Sequence, residues 1–60
     1  MSKRAVDAVF QASFLLTDLR ALLRETAPMH KFSDDQKESA GKAIEKLKKQ
    51  VEILESEMLS

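Results

Sequence analysis

Residues 26–35 read TAPMHKFSDD, the only cluster of helix-breaking residues in the chain. The ring of Pro28 clashes with the backbone before it and drives Ala27 out of helical dihedrals, so a helix ends there. Ser33 is suited to open the next one. Its hydroxyl can accept from the orphan N–H groups of a first turn, and Gln36, three residues on, can reach back to the N–H of Ser33. Asp34 and Asp35 set negative charge at the positive end of that helix dipole. The stretch predicts one helix over about residues 3–27, a turn at about 28–32 and a second helix over about 33–59.

On both sides of the break the apolar residues keep a heptad period. Downstream, Ala40, Ile44, Leu47, Val51, Leu54 and Met58 recur at steps of 4, 3, 4, 3, 4, and upstream Ala5, Val9, Ala12, Leu16, Leu19 and Leu23 do the same. Such steps line one face of a helix. Folded back antiparallel, the two seams pair Leu23 with Ala40, Leu19 with Ile44, Leu16 with Leu47, Ala12 with Val51, Val9 with Leu54 and Ala5 with Met58. The numbers of every pair add to 63, which centres the turn at residues 31–32, inside the break. Lys3 and Arg4 oppose the dipole of their own helix, as Glu55 and Glu57 do theirs, but the hairpin makes these groups neighbours. Glu38 with Lys42 and Glu45 with Lys49 are i,i+4 pairs in the favoured order, worth roughly 0.2–0.5 kcal/mol each. Ile44 and Val51 on one seam line with Leu47 and Leu54 on the other would also suit a parallel coiled coil, but about two and a half heptads fall short of the three or four that such a pattern needs. The expected fold is all-α: one domain, residues 1–60, an antiparallel hairpin of two long helices.

The first helix carries more apolar surface than one neighbour covers. Beside its seam lie Ala8, Leu15 and Leu22, and Phe10, Phe14, Val6 and Ala21 form a broken stripe beyond Gln11 and Asp18. An exposed patch of that kind marks an interface. The expectation is a homodimer or higher oligomer, a helical bundle in which Ala8, Leu15, Leu22 and Phe14 are covered by another copy. The second helix adds only Ile53 and Leu59 outside its seam. Gly41 sits among Ser39, Ala40 and Ala43, where a helical glycine costs about 1 kcal/mol relative to alanine; this small-residue patch predicts a tight crossing near the turn.

Composition supports association and excludes much else. With 60 residues and no cysteine, the chain has a small core and no disulfide, and a single His makes a structural metal site improbable on ligand count. The lack of cysteine fits a reducing, cytoplasmic setting. Lys3 and Arg4 precede apolar residues, but Asp7 and Gln11 interrupt the run, so neither a signal peptide nor a membrane span is expected. Ten basic and ten acidic residues cancel, so no overall field draws the chain to nucleic acid or anionic lipid.

No residue set here supports catalysis. There is no nucleophile with a base, no paired carboxylates in a recognisable site and no metal-ligand spacing. His30 stands alone in the turn, Asp34 and Asp35 serve the helix start, and Gly41-Lys42 lacks the rest of a phosphate loop. The expected function is non-enzymatic, without cofactor or metal: a small regulatory or adaptor protein that binds a partner protein through its first helix, with Phe10, Phe14 and Leu22 as anchors. Two alternatives remain. One is a nucleic-acid binder whose phosphate contacts would be Arg20, Arg24, Lys42, Lys46 and Lys49; in architecture alone, with no shared motif, the chain resembles the Rop-like RNA-binding hairpins, which dimerise into four-helix bundles. The other is an oligomer that sequesters a small ligand between subunits.

Overall fold

The computed structural model describes residues 2–59. Helix α1 spans Lys3–Glu25 and helix α2 spans Asp34–Leu59. They fold back on each other as an antiparallel hairpin whose extents are 41 × 16 × 14 Å. The long dimension is set by α2, since a helix rises about 1.5 Å per residue.

The start of α1, its end and the start of α2 are each held by local hydrogen bonds that the sequence supplies. The Ser2 hydroxyl accepts from the N–H of Ala5 at 3.1 Å and so caps α1. At the other end α1 stops at Glu25, two residues short of the expected limit. Thr26 leaves helical dihedrals while its hydroxyl donates to the carbonyls of Leu22 and Leu23 at 3.0 and 3.3 Å, adding to the bond that its own N–H makes to Leu22 at 3.2 Å and satisfying a carbonyl of the last turn at Leu23. The chain then turns, with the N–H of His30 on the carbonyl of Thr26 at 2.7 Å and His30 itself at φ 53°. The capping box forms in both directions: Gln36 N–H to Ser33 Oγ at 3.2 Å, and Ser33 N–H to Gln36 Oε1 at 2.8 Å.

The helices meet along lines in which alanines alternate with leucines and with long polar side chains. On α1 the buried and half-buried positions are Ala5, Ala8, Ala12, Leu15, Leu19, Leu22 and the adjoining Thr26; on α2 they are Gln36, Ala40, Ala43, Leu47, Gln50, Leu54 and Glu57, with Ile53 beside them. In antiparallel order these lines set Ala8 against Leu54, Leu19 against Ala43 and Leu22 against Ala40. In these three pairs a leucine meets an alanine, Leu15 meets Leu47, and every pair adds to 62.

This corrects the expected seam. Ala5, Ala12, Leu19, Ala40, Leu47 and Leu54 face the other helix as expected, but Val9, Leu16 and Leu23 of α1 and Ile44, Val51 and Met58 of α2 are exposed. Their places on α1 are taken by Ala8, Leu15 and Leu22, which were expected at an open edge. The physical reason is closeness of approach: alanines at 5, 8, 12, 40 and 43 let the two backbones draw together, whereas Val9 or Ile44 in the same positions would hold them apart. Gln50 and Glu57 lie opposite Ala12 and Ala5, where a long polar chain covers a methyl group and keeps its head in water. No buried side-chain polar atom among the described residues lacks a partner.

Among the described residues only Ala5, Ala8, Ala40 and Ala43 are buried, and no larger side chain is. The crossing near the turn uses Ala40 and Ala43, as the small-residue patch predicted, but Gly41 and Ser39 are exposed and contribute nothing to it. Lys42 Nζ lies 3.4 Å from Glu38. The companion pair Glu45–Lys49 is not closed, in keeping with the small energy of exposed pairs. At the open end the Ser2 hydroxyl donates to the Glu57 carboxylate at 2.7 Å.

Candidate interaction surface

The exposed halves of the two seams come together. Val9, Leu16 and Leu23 each follow a facing residue of α1 (Ala8, Leu15, Leu22) by one position, and Ile44, Val51 and Met58 each follow a facing residue of α2 (Ala43, Gln50, Glu57) by one. One position turns a helix by about 100°. Because the helices run in opposite directions and face each other, that same turn carries both triplets to the same side of the hairpin. The six side chains are between 42% and 54% exposed. Along α2 they border two shallow depressions, one lined by Ile44, Leu47 and Val51 with Lys48 and Glu52, and the next by Val51, Leu54, Met58 and Leu59 with Glu55.

The opposite side has another character. The positions one residue before Ala5, Ala12, Leu19 and Thr26 are Arg4, Gln11, Asp18 and Glu25, and those before Ala40, Leu47 and Leu54 are Ser39, Lys46 and Ile53. The hairpin is thus two-faced, apolar on one broad side and mainly polar on the other. An apolar face of several residues flanked by charge is the pattern of an association surface.

Phe10 and Phe14 lie on neither broad side. Helical rotation sets Phe10 directly away from α2 and Phe14 on the outer, polar-side shoulder of α1, and they are 60% and 66% exposed. The neighbouring hydroxyls are occupied by their own helix: Ser13 donates to the Val9 carbonyl at 2.9 Å and Thr17 to the Ser13 carbonyl at 3.0 Å. Of the residues expected at the interface, Phe10 and Phe14 are therefore open to solvent, whereas Ala8 is buried and Leu15 and Leu22 are half-buried against α2.

The basic residues do not converge. Arg20 lies at the rim of the apolar side and Arg24 on the outer side of α1, whereas Lys42, Lys46 and Lys49 belong to the polar side of α2, and Lys42 is paired with Glu38. His30 lies with Lys31, Phe32 and Lys37 around an open depression at the turn. Among the described residues no three His, Cys, Asp or Glu side chains cluster to hold a metal ion, and no helix is long and apolar enough to cross a membrane.

Sequence reasoning found all six residues of the apolar face but placed them in the hairpin core. The available signal was the run of alanines at 5, 8 and 12, which marks the line of closest approach. No protein-family model, curated protein or solved structure matches the chain.

Proposed function

We propose that this chain works by binding and not by catalysis, as a small regulatory or adaptor protein. It self-associates through the apolar side of the hairpin into a helical bundle, and it offers Phe10 and Phe14, on the outer side of α1, to a partner protein in a reducing, cytoplasmic setting.

One observation carries this reading. Val9, Leu16, Leu23, Ile44, Val51 and Met58 share one side of the hairpin and stay exposed, while nothing larger than alanine is buried between the helices. Burying a Val, Leu, Ile or Met side chain contributes about 1.5–3 kcal/mol. A short chain that leaves six aliphatic side chains about half in water forgoes much of its stability, and a second surface restores it. Such a bundle leaves Phe10 and Phe14 on its outside, where two aromatic rings one helical turn apart suit the anchor role in a partner's groove.

Sedimentation at micromolar concentration tests the first half. Wild type is expected at the mass of two or more copies, and Leu16→Asp, which touches no facing position, at the mass of one. Folded wild type that stays monomeric would end the self-association reading. Affinity recovery from native cells tests the second half: Phe10→Ala with Phe14→Ala is expected to keep the oligomer and lose the partner, and identical recoveries would refute the anchor role.

A further inference from the structure

We infer that two copies of this chain stack apolar side to apolar side with α1 of each over α2 of the other, so that both turns lie at the same end of a four-helix bundle. The inference rests on the self-association proposed above and adds its geometry.

The six-residue face is continuous with the interface inside the chain. Ala5, Ala12 and Leu19 on α1 and Ala40, Leu47 and Leu54 on α2 form the side of the facing lines that adjoins the exposed triplets, so each helix carries one unbroken apolar arc aimed between its neighbour and the open side. That direction is where the axis of a four-helix bundle runs. A second hairpin completes the heptad seams that one hairpin half uses.

Two stackings satisfy this apolar demand, and charge separates them. Consider the half of each helix that runs from the apolar side round to the outer side. On α1 that half holds Lys3, Arg20 and Arg24 and no acid; on α2 it holds Asp34, Glu38, Glu45, Glu52 and Glu55 against Lys37 and Lys48. Arg20 near the seam, with Lys3 and Arg24 on the outer line that carries Phe10, makes this half of α1 positive, and the same half of α2 is net negative by three. If α1 lies over α1 and α2 over α2, both seams between copies join like charges. If α1 lies over α2, both seams join opposite charges. Discrimination between orientations by such rim charges is the general role of electrostatics at an interface.

Height along the bundle agrees. A two-fold axis parallel to the helices keeps every residue at its own level, and the facing pairs within the chain set the level of residue 20 with that of residue 42. Arg20 then falls between Glu38 and Glu45 of the second copy, and Lys3 near Glu55. Val9 then lies within two residues of the level of Val51, and Leu16 within two of Ile44, so aliphatic side chains neighbour one another across the seam between copies.

The chain has no cysteine, so single labelling sites are clean. Spin labels on Met29→Cys, at the turn, and separately on Ser56→Cys, near the open end, report the distance between copies, with helicity confirming that each variant folds. The expected result is a two-copy mass and distances within roughly 20 Å at both ends, the width of two neighbouring helices and their labels. Distances near the 41 Å length of the hairpin would overturn the stacking while leaving self-association intact. A mass above two copies would also overturn the stacking. A purified monomer would overturn both, and if Leu16→Asp then lost a protein partner, the face would belong to that partner. As a second measurement, Arg20→Glu with Arg24→Glu is expected to weaken dimerisation several-fold at low salt, and adding Glu38→Lys with Glu45→Lys to the same chain to restore it. No weakening, or no restoration, would refute the charge argument.

Discussion

The Ser2 hydroxyl accepts from the N–H of Ala5 at 3.1 Å and donates to the Glu57 carboxylate at 2.7 Å. One small side chain therefore caps α1 and ties its first turn to the last turns of α2, closing the hairpin at the end opposite its covalent turn. Ser2→Ala removes both bonds. Loss of an N-cap costs about 1 kcal/mol, which in a domain of this size lowers the melting temperature by roughly 4–8 °C. Glu57→Gln keeps the cap and weakens only the tie, so it should cost less. Thermal unfolding followed by circular dichroism at matched concentration decides, and equal melting temperatures for Ser2→Ala and wild type would contradict the assignment.

At the turn, the reciprocal bonds of Ser33 and Gln36 should be coupled. Ser33→Ala is expected to cost about 1 kcal/mol. Gln36→Ala should cost less, since the N–H it leaves is exposed to water. Once either partner is gone, removing the other should cost less than it does in wild type. A double-mutant cycle in denaturant reads the coupling directly, and strictly additive losses would show that the box does not act as a unit.

His30 holds φ 53°, in the left-handed region where a β-carbon meets the following carbonyl oxygen at a cost of about 1–2 kcal/mol. His30→Gly removes that clash, offset in part by the greater freedom of glycine in the unfolded chain. The expected outcome is a gain of about 0.5–1 kcal/mol in chemical unfolding, whereas His30→Val should lose stability. A loss with glycine would place the stabilising role in the imidazole and not in the backbone.

Gly41 and Ala8 should respond in opposite senses to added bulk. A methyl group at Gly41 meets nothing within 4 Å, so Gly41→Ala should stabilise α2 by about 1 kcal/mol through helix propensity alone. Ala8 is buried against α2, and Ala8→Leu should cost about 1–3 kcal/mol by forcing the helices apart. Unfolding midpoints of the two variants check both halves of the claim, and a stabilising Ala8→Leu would mean that the close approach of the helices is not what orders them.

The two helices, their antiparallel return and the capping box at Ser33 were legible from local chemistry. Pro28 cannot continue a helix, Ser33 and Gln36 satisfy each other over three residues, and heptad steps need no tertiary information to declare a helical face. The end of α1 was less legible, because Thr26 closes it by bonding back to Leu22 and Leu23, an option that a threonine has in many contexts and takes in few. The exposure of Phe10 and Phe14 was legible in outline, since no helical arc that includes Ala12 and Leu19 also includes them. The open edge was not: Ala8, Leu15 and Leu22 were assigned to it, and they lie inside.

The sequence by itself determined which residues are helical and how wide an apolar arc each helix carries, because caps, breakers and a period of about 3.5 residues act locally. Only the tertiary structure decided which part of that arc faces the neighbouring helix. Residues one position apart are separated by about 100° on the helix, so a wide arc accommodates more than one facing line, and the choice depends on how closely two backbones can approach. Alanines at 5, 8, 12, 40 and 43 made that approach close. They turned Val9, Leu16, Leu23, Ile44, Val51 and Met58 out of the hairpin and onto one shared face.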